Sequence, residues 1–293
     1  MFSEAIRKGI PDMFYRSWWA DYPDPENFLN LLYGDHIPEN LSDKAYINPM
    51  RYRSAVFDSL FALAQREVDD AKRAELYKNW DRLVIATCDQ EIEQFSKKNR
   101  FPVVMTGSHH TRALDRVAEA FDNLDVATSD HDIVVCVQGD EPMMRPDMID
   151  AVVAPLLEDS SIPGMILAMH ITDESIWRNP DTVKIIHNAE GEVLYTSRAP
   201  LPYTKTGFSS ELMARRIGGI FSFRWEYLKA FTSHPETRLE QLEACDSNRV
   251  LDMPFRQRIA PYPSVPFYSV DSASDIKLVE DTILSDEYWQ IIK

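Results

Sequence analysis

The sequence predicts an α/β fold with a mostly parallel sheet, and three observations lead there. Short apolar runs recur at residues 83–87 (LVIAT), 103–106 (VVMT), 132–137 (DIVVCV) and 164–170 (GMILAMH). Segments of helical periodicity separate them. Each of the first three runs ends in a polar cluster, as strands covered on both faces do when helices cross between them. With 293 residues, the chain can bury a full core without disulfide or metal staples.

The elements follow in order. Residues 1–50 are rich in aromatics, Pro, Asp and Asn and read as an irregular or helical extension, in which 28–33 (FLNLLY) is one short helix. Residues 51–293 read as the α/β domain. Residues 54–71 carry Val56, Phe57, Leu60, Leu63 and Ala64 at helical spacing. The strand at 83–87 runs into Cys88-Asp89, and a helix follows at 90–98. After the strand at 103–106, residues 113–121 form an amphipathic helix. The strand at 132–137 is closed by Gln138-Gly139-Asp140. A helix at 146–157 precedes the strand at 164–170. Residues 182–186 and 193–196 flank Asn188-Ala189-Glu190-Gly191, a turn signal that predicts a hairpin in a smaller insertion. A strand at 217–223, a helix at 239–248 and a strand at 267–270, just before Asp271, complete the pattern.

Charge removes two classes of partner. Forty-seven acidic against 31 basic side chains give a formal net charge of −16, so neither nucleic acid nor an anionic membrane is an expected partner. A local Arg cluster or a bound metal still permits an anionic small substrate. Cys88, Cys136 and Cys245 lack the spacing of a disulfide framework or zinc site. There is no apolar run long enough to span a membrane and no recognisable signal peptide, so the expected compartment is the cytoplasm.

Four strings can carry chemistry, and ligands of open α/β sheets bind at the carboxyl ends of strands. In Val137-Gln138-Gly139-Asp140-Glu141-Pro142, a buried strand delivers Asp140, a hard oxygen donor suited to Mg²⁺, behind a Gly that lets a ligand approach. Taken alone, the same string also reads as a strand ending in a polar turn. Asp271 sits between a strand and a helix, where capping is the plainer role. Residues 106–116 join a strand end, a polar loop and a helix start bearing Arg112 and Arg116, an arrangement that favours anions. His109 and His110 have no third ligand at a suitable spacing, so no metal is expected there. In Ser197-Arg198-Ala199-Pro200-Leu201-Pro202, an Arg follows a strand in a Pro-stiffened segment.

Taken in order, these strings resemble the 3-deoxy-manno-octulosonate (Kdo) cytidylyltransferase family, over roughly residues 50–285. The family pattern H-x-S-G-T-(D/E)-R is met loosely by His110 to Arg116. V-Q-G-D-E-P is met fully by Val137 to Pro142, and S-R-A-P-I-P by Ser197 to Pro202 with Leu201 for Ile. G-I-Y-x-Y-R corresponds to Gly219 to Arg224, L-E-x-x-E to Leu239 to Glu243, and G-V-D-T-P-E-D-L to the segment around Val270-Asp271. The resemblance implies a Rossmann-like sheet of the nucleotide-diphospho-sugar transferase type. It also implies transfer of CMP from CTP to Kdo or a related 2-keto sugar acid, with release of pyrophosphate. Asp140 and Asp271 would be catalytic and hold Mg²⁺. Gln138, Arg198, Glu240 and Asp246 would bind the sugar acid. His110, Arg112, Arg116 and Gly139 would lie on the nucleotide side. The family also implies a homodimer.

Two departures stand out. The family's opening strand and phosphate loop, I-P-A-R-x-x-S-x-R-x-P-G-K, has no counterpart string here; Ile47-Asn48-Pro49-Met50 resembles only its later G-K-P-M step. Asp246-Ser247-Asn248 replaces the E-Q-L usual before Arg249, which leaves the identity of the sugar acid open. The first departure sustains an alternative: a catalytically silent relative that binds nucleotide or sugar, or scaffolds a partner.

Overall fold

A computed structural model describes residues 34–38, 61–62, 65–66, 83–99, 101–124, 128–270 and 272–286. The chain divides into two units, residues 1–82 with 276–293, and residues 83–275. In the first unit, Gly34–His36 form a 3-10 turn and residues 61, 62, 65 and 66 are helical, within the segment where a helix was expected. Most of the expected extension over 1–50, including the helix at 28–33 and the boundary at 50, lies outside the described residues, as does most of 54–71.

The second unit holds the α/β body. Its strands are β1 (Ile85–Thr87), β2 (Val103–Met105), β3 (Ile133–Val137), β4 (Gly164–His170), β5 (Lys184–His187), β6 (Val193–Ser197), β7 (Arg215–Arg224) and β8 (Arg258–Tyr262). Between them run helices α1 (Gln90–Asn99), α2 (Ala113–Asp122), α3 (Pro146–Glu158), α4 (Glu174–Arg178), α5 (Trp225–Ser233) and α6 (Arg238–Glu243). Helix α7 (Ala273–Ser285) follows them.

β1 and β2 pair in parallel. The other six strands form one sheet in the order β6-β5-β7-β4-β8, with β3 on β7. β7 is antiparallel to β3, β4 and β5, and β4 is parallel to β8. Hence β3, β4 and β8 run one way, and β7 runs against them. The α/β class stands as a mixed sheet, with more antiparallel pairing than the strand–helix alternation suggested, because β7 inserts between β3 and β4. The expected hairpin is β5–β6, paired antiparallel through the turn at residues 188–191.

Helix α2 packs against both β1 and β3, yet among the described residues no strand joins those two strands. The core lies under α2 and α5 and combines Val134, Cys136, Ile166, Phe221, Phe223, Trp225, Leu228 and Phe231. Phe121 packs against Trp225 with ring centroids 4.6 Å apart and planes tilted by 50°, which ties α2 to the start of α5.

Two expected elements differ. The helix read at 239–248 breaks at Ala244, whose φ of +48° is left-handed, and continues as a 3-10 segment, Asp246–Asp252. Asn248 explains the break. Its Oδ1 accepts from the Thr196 N–H at 3.1 Å, and its Nδ2 donates to the Thr196 carbonyl at 3.0 Å, so it acts as a strand neighbour to β6. Residues 267–270, read as a strand, pair with no strand and are held by individual hydrogen bonds. Among the described residues, no helix is long and apolar enough to cross a membrane.

Candidate active site

The carboxyl end of β3 delivers Gln138 to Pro142, because Val134 and Cys136 anchor alternate positions of the strand in the core. The loop is then held from two sides. On one, Gln138 N–H donates to the Gly219 carbonyl at 3.1 Å. Gly219 sits at φ +65°, and a Cβ there would lie 2.4 Å from Glu141 Oε1, so both backbone and space demand glycine. On the other, Ser269 Oγ donates to Glu141 Oε1 at 3.0 Å, and Val270 N–H donates to the Asp140 carbonyl at 2.8 Å. The segment before Asp271 therefore runs alongside Asp140. Asp271 itself lies outside the described residues.

Asp140 and Gly139 are exposed, and nothing lies within 4 Å of where a Gly139 Cβ would be. Burial pushes the Cys136 thiol up, with further contributions from the charges of Asp246 and Asp140. Both carboxylates therefore lie within electrostatic reach of that buried strand position, which keeps Cys136 an unreactive hydrophobe.

Asp246 belongs to a buried ionic cluster. Arg249 is 1% exposed and Glu240 0% exposed. Arg249 donates to both oxygens of Glu240 at 3.0 and 2.7 Å, and to both of Asp115 at 2.9 and 3.3 Å. Its guanidinium also lies 4.5 Å from the Phe231 ring centroid. Glu240 completes a capping box with Thr237 at the start of α6. Both Glu240 oxygens are thus committed within the protein. Burial pushes Asp246 up to about 6; Glu240 and Asp115 add to the shift, and Arg112 and Arg249 oppose it. The buried Arg112 Nε, 4.0 Å from Glu240 Oε1, makes no hydrogen bond.

Arg198 is also committed. Its guanidinium donates to the carbonyls of Glu243, Pro180, Asp181 and Ala244 at 3.0 to 3.4 Å. Glu243 in turn accepts from Tyr195, Ser197 and the Arg198 N–H. Those donors hold the Glu243 carboxyl below its ordinary range against the opposing effect of burial. Lys184, fully buried, donates to the carbonyls of Asn179, Thr182 and Arg198 at 2.6 to 2.8 Å. Arg116 donates to Thr106 Oγ1 at 2.6 Å and to the carbonyls of Gly107 and His110, and so shapes the loop that carries His110.

The structure therefore groups the expected residues in three places. Gln138, Gly139 and Asp140 meet residues 269–270. Arg112, Glu240 and Asp246 share the Arg249 cluster. His110 and Arg116 lie in the 106–110 loop. An open cleft of about 580 Å³ lies by that loop, lined by His110, Asp115, Glu119 and Glu236 among others, and it includes neither Gln138 nor Asp140. Sequence reasoning gave no site role to Asp115, Lys184, Gly219, Glu243 or Arg249. Asp115, Gly219 and Glu243 stood inside quoted motifs; the partner of Asp115, Arg249, is 134 residues away, whereas Lys184 is held by carbonyls 2, 5 and 14 residues away.

Against known proteins, residues 67–254 match the family model described as Cytidylyltransferase. The chain is 37% identical over 209 residues to the 3-deoxy-manno-octulosonate cytidylyltransferase of Nitratidesulfovibrio vulgaris strain DP4, covering 71% of this chain and 81% of that one. It is 35% identical to the protein of the same name from the Hildenborough strain, covering 80% and 93%. Its fold is similar to a solved CMP:2-keto-3-deoxy-manno-octonic acid synthetase complexed with CTP, with TM-score 0.62 and 25% identity over 70% of this chain and 81% of the other.

Proposed function

Since the chain belongs to the cytidylyltransferase family, we propose that it transfers CMP from CTP to Kdo or a related 2-keto sugar acid, releasing pyrophosphate. The observation that supports this best is the Gln138–Glu141 loop, braced by Gly219 and by Ser269–Val270 while the Asp140 carboxylate stays exposed. A hard oxygen donor at a strand end, with open space over Gly139, fits Mg²⁺. Asp140 would hold the ion, with Asp271 as the second carboxylate. When bound, Mg²⁺ offsets phosphate charge and lowers the pKa of a sugar hydroxyl.

The chain's own residues supply positioning. Gln138 offers its amide to the sugar acid, next to the metal-binding carboxylate. Asp246, whose pKa burial raises to about 6, is mostly ionised near neutral pH and would accept a hydrogen bond from a sugar hydroxyl. Arg198 and Glu240 position residues 197–202 and the start of α6, because their polar atoms already have partners in the fold. On the nucleotide side, Arg112 keeps a buried Nε without a hydrogen bond, Gly139 leaves open space beside Asp140, and His110 lies in the loop that Arg116 shapes. The proposal includes a homodimer, which sedimentation would read. The decisive assay is pyrophosphate release from CTP, Kdo and Mg²⁺; a folded sample that releases none with Kdo or related acids overturns the reading.

A second reading, binding without turnover, is favoured by one observation. The sequence lacks the family's phosphate-loop string. CTP with Mg²⁺ would then raise the melting temperature while no pyrophosphate appears.

A further inference from the structure

We propose that His109, His110 and Glu119 form a binding site for a first-row transition-metal ion of the Zn²⁺ class, separate from the oxygen donors at Asp140. The expectation that the two histidines lack a third ligand fails through space. Glu119 comes nine residues later, on α2, and places its carboxylate against the loop. One donor atom from each of the three side chains lies within 4.8 Å of the others. His110 Nε2 contacts Glu119 Oε2 directly. The two imidazole rings lie 4.1 Å apart between centroids, tilted by 39°.

The loop is shaped for this convergence. Gly107 N–H donates to Glu119 Oε1 at 2.9 Å, which aims the other carboxylate oxygen at His110. A Cβ on Gly107 would lie 2.4 Å from both Cε1 and Nδ1 of His109, so a glycine is what lets that ring fold back over the loop. Arg116 fixes the backbone by donating to the carbonyls of Gly107 and His110. The Glu119 carboxylate and the backbone of the loop are therefore set by contacts unrelated to a metal.

Two imidazoles and a carboxylate are the donor set of zinc sites that keep one position open. The nitrogen donors favour Zn²⁺, Co²⁺ or Ni²⁺ over Mg²⁺, which takes oxygens. Tetrahedral coordination at ordinary bond lengths needs donors about 3.4 Å apart, and the exposed His109 side chain can close that difference by rotation. His110 and Glu119 line the open cleft, whose other walls include Asp115, Asp122 and Glu236.

The test uses metal-stripped full-length protein with millimolar Mg²⁺ present throughout, titrated calorimetrically with Zn²⁺ and followed optically with Co²⁺. The expected result is one ion per chain, a Co²⁺ visible spectrum of the intense tetrahedral type, and at least about tenfold weaker Zn²⁺ binding in both His109→Ala and Glu119→Gln. Zn²⁺ affinity unchanged in both variants, or no uptake by the wild type, overturns the proposal. His109→Ala keeps the test valid if Glu119→Gln disturbs the loop, because His109 is exposed. Uptake of Zn²⁺ is independent of whether the protein releases pyrophosphate.

Discussion

Two charged regions of this molecule are built on opposite principles. Around Arg249, two carboxylates grip one guanidinium through two hydrogen bonds each, and an aromatic face lies beside it. At the end of β3, Asp140 is exposed and its carboxylate has no hydrogen bond or ion pair among the described residues. Asp246 stands between the two cases, buried near four charges with its pKa pushed up by burial. Buried charges that match one another hold elements together. Those left open are available to something that binds.

Breaking the matched region should have the largest effect. Arg249→Ala leaves Glu240 and Asp115 without their shared cation, and about 3–5 kcal/mol of stability should be lost. Urea unfolding would show this as a fall in midpoint at constant slope. Asp140→Ala should do the reverse: unchanged melting temperature, with kcat/KM lower by about 100- to 1000-fold. A variant that melts early, or one that keeps its rate, would undo the contrast.

Asp246→Asn tests the intermediate case. Its folded pKa of about 6 exceeds the ordinary carboxylate value of 3.8, so the folded chain binds the extra proton between those values. The wild type should therefore lose stability from this group as pH rises from about 4 to 6, and carry the full penalty above 6. The Asn variant should be more stable at pH 7.5 by up to about 3 kcal/mol, with the difference vanishing near pH 4. Equal gains at both pH values would remove the ionic explanation.

Smaller effects sharpen the picture of the braced loop. Gly219→Ala forces a left-handed backbone and displaces Glu141, and should cost about 1–2 kcal/mol; activity should fall further than stability, since the Gln138–Glu141 loop moves. Tyr195→Phe removes one hydrogen bond to Glu243, made at 2.5 Å, and should cost about 1 kcal/mol. Chemical denaturation and initial rates measured on the same samples separate the two quantities.

Much of the α/β body was legible because its strands are continuous apolar runs with polar ends. β8 was not: RIAPY is short and carries Pro261, which an edge strand tolerates. α5 was missed because it begins at Trp225, directly after β7 ends at Arg224, with no turn residue between them. The break at Ala244 was invisible because its cause, Asn248 reaching Thr196, is 52 residues distant in sequence. At the site, motif order singled out Gln138-Gly139-Asp140 and the segment at 270. It did not show that the Arg198 guanidinium is occupied by backbone carbonyls, or that Glu119 meets His110. Those facts depend on where side chains end, which local pattern does not encode.

The reversed strand β7 also has a consequence for the order in which the molecule can be assembled. β3 and β4 do not pair with each other; each pairs with β7, whose residues arrive about 90 and 50 positions later in synthesis. Until residue 224 has emerged, β3 lacks the neighbour it will pair with, and the Asp140 loop lacks the Gly219 carbonyl that holds it. Long-range pairing of this kind slows folding. The metal-binding candidate Asp140 therefore gains its position only after about three quarters of the chain has been made.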